Sequence, residues 1–306
     1  MDSKEVAIIG MGPAGVSAAI YLKRYNMTPV CFEKDLIGGK TNYTEKIENY
    51  PGYLGLKGPQ LAQDLATQLE SFSIRPIYRE VKSLTQNEDG TYHLEYGKES
   101  RDFKYVILAN GLAEKPFDIP GQDTFHKRGF SRCAICDGMF YKGKDVAVIG
   151  GGNAALEEAI YLASICSHVY VIAHHANLKA MPSIIERLSH LENAKLYAPY
   201  DTILAEGEQS LSRLTIRNNE TGEEEKLSVQ GLFIYVGEQP QNGFVHIEGL
   251  TDARGFFVTD AKKETKAKHL YAVGDSRDTS LRQVTTAVAD GSLAATAIHD
   301  DYQSKN

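Results

Sequence analysis

At 306 residues the chain is long enough for two domains, each with its own buried core. The net charge of −7 and the lack of a long Lys/Arg block argue against nucleic acid or an anionic membrane as a partner. The acidic start of the chain precedes only a short apolar run, so we expect no signal peptide and no membrane span, and a cytoplasmic protein. Four cysteines are too few for a disulfide scaffold.

A dinucleotide fingerprint begins the chain. Residues 6–9 predict a buried strand, residues 10–15 read Gly-Met-Gly-Pro-Ala-Gly, a helical pattern follows, and residues 29–33 predict a strand that ends in an acid. Gly10 permits the tight turn, and Gly12 lets the backbone approach a pyrophosphate at the helix N-terminus. Glu33 can accept hydrogen bonds from a ribose diol.

Further strands extend this first unit. Residues 60–72 predict an amphipathic helix, and residues 81–84 and 92–96 predict strands of an antiparallel meander. A buried strand at 105–109 ends on Asn110 and Gly111.

The same pattern then repeats. Residues 146–155 resemble residues 6–15, a helix is predicted at 156–163, and a strand at 169–172. Strands at 196–197 and 214–216 are interpreted as a second meander, and residues 232–237 as the counterpart of the strand at 105–109. The strand at 269–275 and the helix at about 285–300 suit the first copy, whose sheet otherwise lacks its last strand.

The repeat predicts an α/β fold with two Rossmann-like nucleotide-binding domains, each a three-layer ββα arrangement. We expect residues 1–111 and 243–306 to form one domain and residues 112–242 to be inserted in it. The hinges would lie near 111–116 and 237–243, which are rich in Gly or Pro.

Between the two fingerprints lies Cys133-Ala134-Ile135-Cys136-Asp137. A thiol pair there can exchange electrons with another disulfide, and Asp137 can carry the proton. Nearby cations would favour a thiolate: Lys127, Arg128 and Arg132. A zinc half-site or two inert thiols are the alternatives, but zinc needs about four ligands and only His174 and His175 are candidates to complete the set. We therefore predict no metal, and take Cys31 and Cys166 as small core residues.

The residues that follow the second fingerprint are less typical of a nucleotide site. Gly150-x-Gly152-x-x-Ala155 is well placed, although such a turn can also pack helix on strand without binding a nucleotide. After the next strand, where an acid selects a free 2′-hydroxyl or arginines a 2′-phosphate, the chain reads Ala-His-His-Ala-Asn-Leu-Lys. Neutral histidines are poor phosphate ligands, and their default interpretation is exposed loop residues. The candidate pyridine-nucleotide contacts are Gly150, Gly152, Asn153, Ala154, His174, His175 and Lys179.

Over nearly its whole length the chain resembles the low-molecular-weight, FAD-dependent thioredoxin reductases. The matching segments are residues 10–15, 48–52, 133–138, 150–155, 157–159, 274–275 and 281–283. The disulfide motif and its position are the most specific of these.

The resemblance implies roles for individual residues. Cys136 would face the flavin, Cys133 would attack the protein substrate, and Asp137 would be the acid and base. The protein would be a homodimer whose inserted domain moves between flavin and thioredoxin. The residues expected to bind FAD are Gly10, Gly12, Pro13, Ala14, Glu33, Lys34, Gly39, Lys40, Asn49, Val81, Ala109, Asn110, Gly111, Gly274, Asp275, Arg282, Gln283 and Val284.

Departures from the family pattern leave the electron donor open. Members that use NADPH carry a His-Arg-Arg…Arg cluster, where this chain has Ala173, His174, His175 and Lys179. Related flavoproteins take electrons from reduced ferredoxin or hold a second flavin, so NAD(P)H and ferredoxin both remain candidates. The sequence predicts an FAD-dependent reductase of a thioredoxin-like protein disulfide; the alternative is a flavin-linked dithiol oxidase or diflavin electron carrier.

Overall fold

The structure, a computed structural model, describes residues 4–125 and 128–305. Two compact units are present, Met1–Ala113 with Gln239–Asn306 and, inserted between them, Glu114–Glu238. The helices are α1 (Pro13–Arg24), α2 (Gly58–Ser71), α3 (Ala134–Asp137), α4 (Asn153–Ala163), α5 (Pro182–Ser189) and α6 (Val284–Gln303). Within the described part of the chain, no helix is both long and apolar enough to cross a membrane.

The strands of the first unit before the insertion are β1 (Glu5–Ile9), β2 (Thr28–Glu33), β3 (Ile77–Tyr78), β4 (Val81–Gln86), β5 (Tyr92–Tyr96), β6 (Glu99–Phe103) and β7 (Tyr105–Leu108). Those that follow are β8 (Leu112–Glu114), β9 (Phe130–Ser131), β10 (Asp145–Ile149), β11 (His168–Ile172), β12 (Ala194–Tyr197), β13 (Tyr200–Gly207), β14 (Leu211–Asn218), β15 (Glu224–Ser228), β16 (Gly231–Ile234), β17 (Glu238–Pro240) and β18 (Leu270–Ala272).

A parallel sheet of order β18-β7-β1-β2-β3 forms the centre of the first unit. Side chains of β1 alternate between its faces. Val6 and Ile8 pack with α1, whereas Ala7 packs with Leu94 and Phe103 of the antiparallel sheet β4-β5-β6. This gives the three layers expected from the sequence, and β18 completes the sheet beside β7 as predicted.

The inserted unit repeats the plan. Its parallel sheet has the order β12-β11-β10-β16-β9, and its second sheet is the antiparallel β13-β14-β15. Val146 and Val148 of β10 pack with α4 and α5, while Ala147 and Ile149 face the antiparallel sheet. The fold class is therefore the predicted one, two Rossmann-like units.

One strand prediction was wrong. Leu196 and Tyr197 belong to β12, which pairs in parallel with β11, and the second meander starts instead at β13. Two apolar residues are too short a run to show whether side chains alternate or are buried on both faces. Leu196 at the sheet edge is in fact 42% exposed, although Tyr197 is buried.

The connections between the units also have regular structure. The observed divisions between the units lie after residues 113 and 238. The strands at these divisions, β8 and β17, pair with each other as a two-stranded sheet.

Candidate functional site

The first glycine turn joins β1 to α1. Gly10 has a φ of +97°, and a Cβ there would lie 2.4 Å from the carbonyl oxygen of Ala109, so only glycine fits without strain. Gly12 differs: it has ordinary extended backbone, and a Cβ there would meet no described atom within 4 Å. The start of α1, which has no described side-chain cap, is thus open to a ligand.

Two neighbouring segments fix this turn. The buried carboxylate of Glu33 accepts hydrogen bonds from the backbone N–H groups of Met11 (2.7 Å) and Asp35 (2.8 Å). The N–H of Gly38 donates to the Met11 carbonyl at 2.7 Å, and a Cβ at Gly39 would lie 3.4 Å from the Cα of Gly12. The structure therefore brings Glu33 and Gly39 to the glycine turn, as their predicted common role requires.

The start of the last strand-to-helix segment reaches the same place. A Cβ at Gly274 would lie 3.1 Å from that of Ala14, at the beginning of α1. The Gly274 N–H donates to the buried Asp290 (3.1 Å), which also pairs with Arg277 and Lys263. Asp290 thereby fixes the turn that carries Gly274 and Asp275.

Four buried polar side-chain atoms of the first unit have no hydrogen-bond partner among the described residues, and two of them, Arg282 Nη2 and Asn110 Oδ1, belong to residues predicted to bind FAD. The other two are Thr259 Oγ1 and His299 Nδ1. Arg282 is held by its Nε, 3.3 Å from the Asp275 carbonyl, and its guanidinium lies 4.2 Å from the centre of the Phe256 ring. A buried donor and acceptor of this kind normally have partners. Together with the open turn at Gly12 they fit a large polar ligand with phosphates, as FAD is.

The other residues predicted to bind FAD lie as follows. Asn49 donates to Gln283 at 2.8 Å, and Gln283 caps α6, of which Val284 is the first residue. Lys34 donates to Gln241 (3.1 Å) and Val81 begins β4, while Gly111 has a φ of +62°, and a Cβ there would meet no described atom within 4 Å. Pro13 starts α1, and Lys40 lies in the short helix Gly39–Tyr43. Their contacts with FAD remain predictions.

In the inserted unit Cys133 and Cys136 form a disulfide, with Cα atoms 5.3 Å apart. Cys133 is the N-cap of α3, and its sulfur accepts a hydrogen bond from the Cys136 N–H at 3.1 Å. Cys136 is exposed and Cys133 half-buried. The pair is thus in the oxidised form that the redox interpretation requires, and accessible to a reaction partner.

The neighbour of the disulfide that sequence reasoning missed is Ser131. Its buried hydroxyl donates to the carboxylate of Asp137 at 2.7 Å, and its oxygen accepts from the Cys133 N–H at 3.1 Å. Ser131 therefore holds the predicted proton carrier beside the cysteine backbone. Ser131 sits two residues before Cys133, but the sequence carries no signal for the turn that brings them together.

Two tyrosines also border the motif. The hydroxyl oxygen of Tyr235 accepts from the Ala134 N–H at 3.0 Å, and burial raises the pKa of Tyr235 far above its usual value. Burial and then the charge of Asp137 raise the pKa of Tyr141. Both phenols therefore stay protonated next to the redox motif.

Two of the three cations expected to favour a thiolate have other partners. Arg132 pairs with Glu114 at 2.8 Å, and Arg128 donates to the Thr124 carbonyl at 2.9 Å. Lys127 lies outside the described residues. The negative charge of Glu114 offsets the positive charge of Arg132, so Arg132 favours a thiolate less than the sequence predicts.

Beyond Asp137 the chain exposes two large apolar side chains, Met139 (57%) and Phe140 (74%). Exposed apolar pairs next to a reactive group favour contact with a protein partner. The remaining thiols, Cys31 and Cys166, are buried and free, as predicted.

The second glycine turn has the geometry of the first. Gly150 has a φ of +141°, and a Cβ there would lie 2.4 Å from the Tyr235 carbonyl oxygen. The N–H of Gly150 donates to Ile172 at 2.9 Å, and Gly152 is the N-cap of α4. Asn153 accepts from the Met181 N–H at 2.8 Å through its side chain, and Ala154 follows it in the first turn of α4.

His174 and His175 are exposed, as predicted, with rings 4.5 Å apart. The structure adds a residue that sequence reasoning missed: Asp201, whose carboxylate lies 2.6 Å from His174 Nδ1. Lys179 is exposed, and its backbone N–H donates to Gly151 at 2.8 Å. Because Asp201 comes from β13, no local pattern around the histidines could have revealed it.

Residues 4–291 match the family described as pyridine nucleotide-disulphide oxidoreductase. The chain belongs to that family, and is a flavoprotein oxidoreductase acting on disulfides.

The similar proteins have names that are more specific than the family description. A thioredoxin reductase of Bacillus subtilis is 34% identical over 299 residues, which cover 96% of this chain and 93% of the relative. The crystal structure of Lactococcus lactis thioredoxin reductase superposes with a TM-score of 0.92 at 34% identity, covering 97% of this chain and 98% of that one. A less similar structure, a ferredoxin-flavin thioredoxin reductase of Clostridium acetobutylicum, has a TM-score of 0.53 at 25% identity and covers 98% of each chain.

Proposed function

We propose that this protein is an FAD-dependent reductase of a thioredoxin-like protein disulfide. The observation that carries the proposal is the accessible Cys133–Cys136 disulfide with Asp137 beside it and exposed Met139 and Phe140 after it. The relatives named thioredoxin reductase support the choice of substrate.

FAD would be held by the glycine turn at Gly10 and Gly12, by Glu33 and by the segment that contains Asp275 and Arg282. When bound, it supplies the two electrons that reduce a disulfide. The buried Nη2 of Arg282 and the uncapped start of α1 are the features of this chain that fit its polar groups.

The chain's own chemistry is thiol–disulfide exchange. The Cys133–Cys136 disulfide takes up two electrons and two protons to become two thiols. Cys133, as thiolate, attacks a sulfur of the substrate disulfide and forms a mixed disulfide, with one substrate sulfur leaving as a thiolate that takes a proton. Cys136 then attacks Cys133 in the mixed disulfide, which releases the second substrate thiol and restores the original bond. Asp137 removes and returns the protons.

The proposal also includes a location in a reducing compartment and assembly as a homodimer. Cys31 and Cys166 remain unpaired thiols, which fits a cytoplasmic location. The homodimer rests on the family resemblance, and light scattering of the purified protein tests it.

Detection of bound FAD and trapping of a mixed disulfide with thioredoxin test the proposed function. Purified protein should carry FAD, identified by mass after denaturation. The single cysteine of a thioredoxin that retains only its attacking cysteine is first activated as a mixed disulfide with thionitrobenzoate. Reduced C136S should displace thionitrobenzoate and form a stable disulfide with this thioredoxin through Cys133, and C133S should form much less of it. A colourless protein, or equal trapping by C133S, would contradict the proposal. Reduction of the flavin by a dithiol without any turnover of thioredoxin would select the dithiol oxidase instead.

A further inference from the structure

The inserted unit retains the turn that binds a dinucleotide pyrophosphate. The Gly150 N–H bonds to the end of β11 at 2.9 Å, as the Gly10 N–H bonds to the end of β2 at 2.8 Å. A Cβ at Gly152, like one at Gly12, would meet no described atom within 4 Å. Both turns therefore leave the same side of the helix start open to phosphates.

The choice between nucleotides is made at the next strand end, where the adenosine ribose lies in this kind of fold. Ala173 is anchored there by two backbone bonds, from its N–H to Tyr197 (2.8 Å) and from the Tyr200 N–H to its carbonyl (2.9 Å). This brings His174, which follows β11, against Asp201, the second residue of β13. Both side chains remain accessible, with 62% and 39% of their surface exposed.

The hydrogen bond between them fixes what they offer to a ligand. An ionised carboxylate only accepts, so the proton lies on His174 Nδ1. Asn219 Nδ2 is 3.3 Å from the same atom but is also a donor, so its real bond is the one to the His174 carbonyl at 3.0 Å. Asp201 keeps its second oxygen as an acceptor for a ligand, whereas His174 Nε2 lies on the side of the imidazole ring away from this bond.

An accessible carboxylate suits a ribose diol, which has protons to donate. A 2′-phosphate offers acceptors only, and its charge is repelled by the carboxylate. We infer that the inserted unit takes a pyridine nucleotide with a free 2′-hydroxyl, NADH rather than NADPH, and that Asp201 with His174 selects it. The inference rests on the proposed function and supplies its electron donor.

Three other titratable groups come from the elements around the pair and bear on the choice between the nucleotides. His175 contacts the His174 ring, and Lys179 lies beside the phosphate turn through its bond to Gly151. Arg217 stands opposite Asp201 in the pairing of β13 with β14. Arg217 and Lys179 are the cations that would have to bind a 2′-phosphate if NADPH were preferred.

Calorimetry of the oxidised holoenzyme with NAD⁺ and NADP⁺ tests the inference. NAD⁺ should bind at least about tenfold more tightly, since a hydrogen bond to a charged group contributes roughly a factor of ten or more. D201A should lose about tenfold in NAD⁺ affinity and little in NADP⁺ affinity, and H174R should gain NADP⁺ affinity. Under anaerobic conditions NADH should bleach the flavin faster than NADPH does.

Asp145 gives a matched control. Its carboxylate lies 2.8 Å from His168 Nδ1, the same kind of contact as that between Asp201 and His174. Asp145 and His168 are the first residues of β10 and β11, so they lie at the opposite end of these strands. D145A should leave both affinities unchanged. Tighter NADP⁺ binding, no binding of either nucleotide, or an unchanged ratio in D201A would overturn the inference.

Failure here is distinguishable from failure of the proposed function. If neither nucleotide binds while photoreduced protein still reduces a thioredoxin disulfide through Cys133 and Cys136, only the donor assignment is wrong. If NAD⁺ binds selectively but no protein disulfide is reduced, the proposed function is wrong instead.

Discussion

The Ser131 hydroxyl links the carboxylate of Asp137 to the backbone N–H of Cys133, and so connects the predicted proton carrier to the reactive cysteine. Without its hydroxyl, Asp137 loses its fixed direction but keeps its charge. We expect S131A to lower kcat for thioredoxin reduction by about 3- to 10-fold and D137N by about 10²-fold, because positioned acid–base groups contribute at that scale.

Steady-state reduction of thioredoxin measures both variants. S164A removes a serine hydroxyl whose hydrogen bond among the described residues is local, to the Tyr161 carbonyl at 2.6 Å, and should leave kcat unchanged. An S131A enzyme as fast as the original protein would show that Asp137 needs no such support.

The four cysteines should divide cleanly by reactivity. Burial raises the pKa of Cys31 to about 12, and burial together with the charge of Asp145 raises the pKa of Cys166 to about 11. Neither forms a thiolate near neutral pH. Iodoacetamide should label two cysteines in reduced native protein and four after reduction in denaturant. Mass spectrometry counts them; native labelling of Cys31 or Cys166 would contradict their assignment as core residues.

At the scale of elements, the turn between β1 and α1 separates two kinds of glycine. G10A places a methyl 2.4 Å from the Ala109 carbonyl oxygen at a φ of +97°, so we expect it to destabilise the first unit by roughly 1–3 kcal/mol. G12A adds a methyl that no described atom meets, at an extended backbone position, so the fold should tolerate it. That methyl stands where phosphates would approach, so flavin should be lost.

The ratio of flavin to protein absorbance, with the melting temperature of the flavin-free protein, distinguishes the two variants. G12A that keeps its flavin would contradict the site assignment, and G10A as stable as the original protein would contradict the strain argument.

A cluster at the end of α6 makes stability depend on pH. Asp301 accepts from Tyr105 at 2.7 Å and Lys305 at 2.6 Å, and lies 3.2 Å from His269. Burial lowers the pKa of His269 below its ordinary 6.5. Burial opposes ionisation of Asp301, but its hydrogen bonds from Lys305 and Tyr105 outweigh this and lower the pKa of Asp301 below 3.8.

Both shifts have the same sign: the unfolded chain binds protons at a higher pH than the folded one, so stability is full above pH 6.5 and falls on acidification. The contribution of His269 to the free energy of unfolding is lost first, as the pH falls from 6.5 towards the pKa of His269 in the folded protein. The contribution of Asp301 is lost below pH 3.8. Urea unfolding between pH 7 and 5 should show a smaller decrease for H269Q. An identical slope in both proteins would exclude His269 as a source.

The elements that the sequence predicted correctly are those set by local rules. Glycine turns need a positive φ or an open face at defined positions, and buried strands such as β1 and β10 are long enough to identify. The strand at Leu196 and Tyr197 was assigned to the wrong sheet because its partner lies across a helix. Ser131–Asp137, Gly274–Asp290 and His174–Asp201 could not be predicted, because each bond depends on a turn or a tertiary contact that residue types do not encode.

At the scale of the whole molecule, the chain uses one nucleotide-binding plan twice, for two different purposes. The first copy combines its glycine turn with Glu33 and Arg282 and fits FAD. The second combines its turn with the Cys133–Cys136 disulfide and with a strand end that carries His174 and Asp201. The central claim is that the disulfide of the second copy passes electrons to another protein.

The most direct test is a single transfer of electrons from the reduced protein to thioredoxin, with no nucleotide present. Photoreduced protein is mixed anaerobically with oxidised thioredoxin, and the thioredoxin thiols are alkylated and counted by mass spectrometry. We expect thioredoxin to gain two thiols from the original protein and none from the C133S/C136S variant, which should retain its flavin. Equal reduction by the double variant, or no reduction by the original protein, would contradict the account.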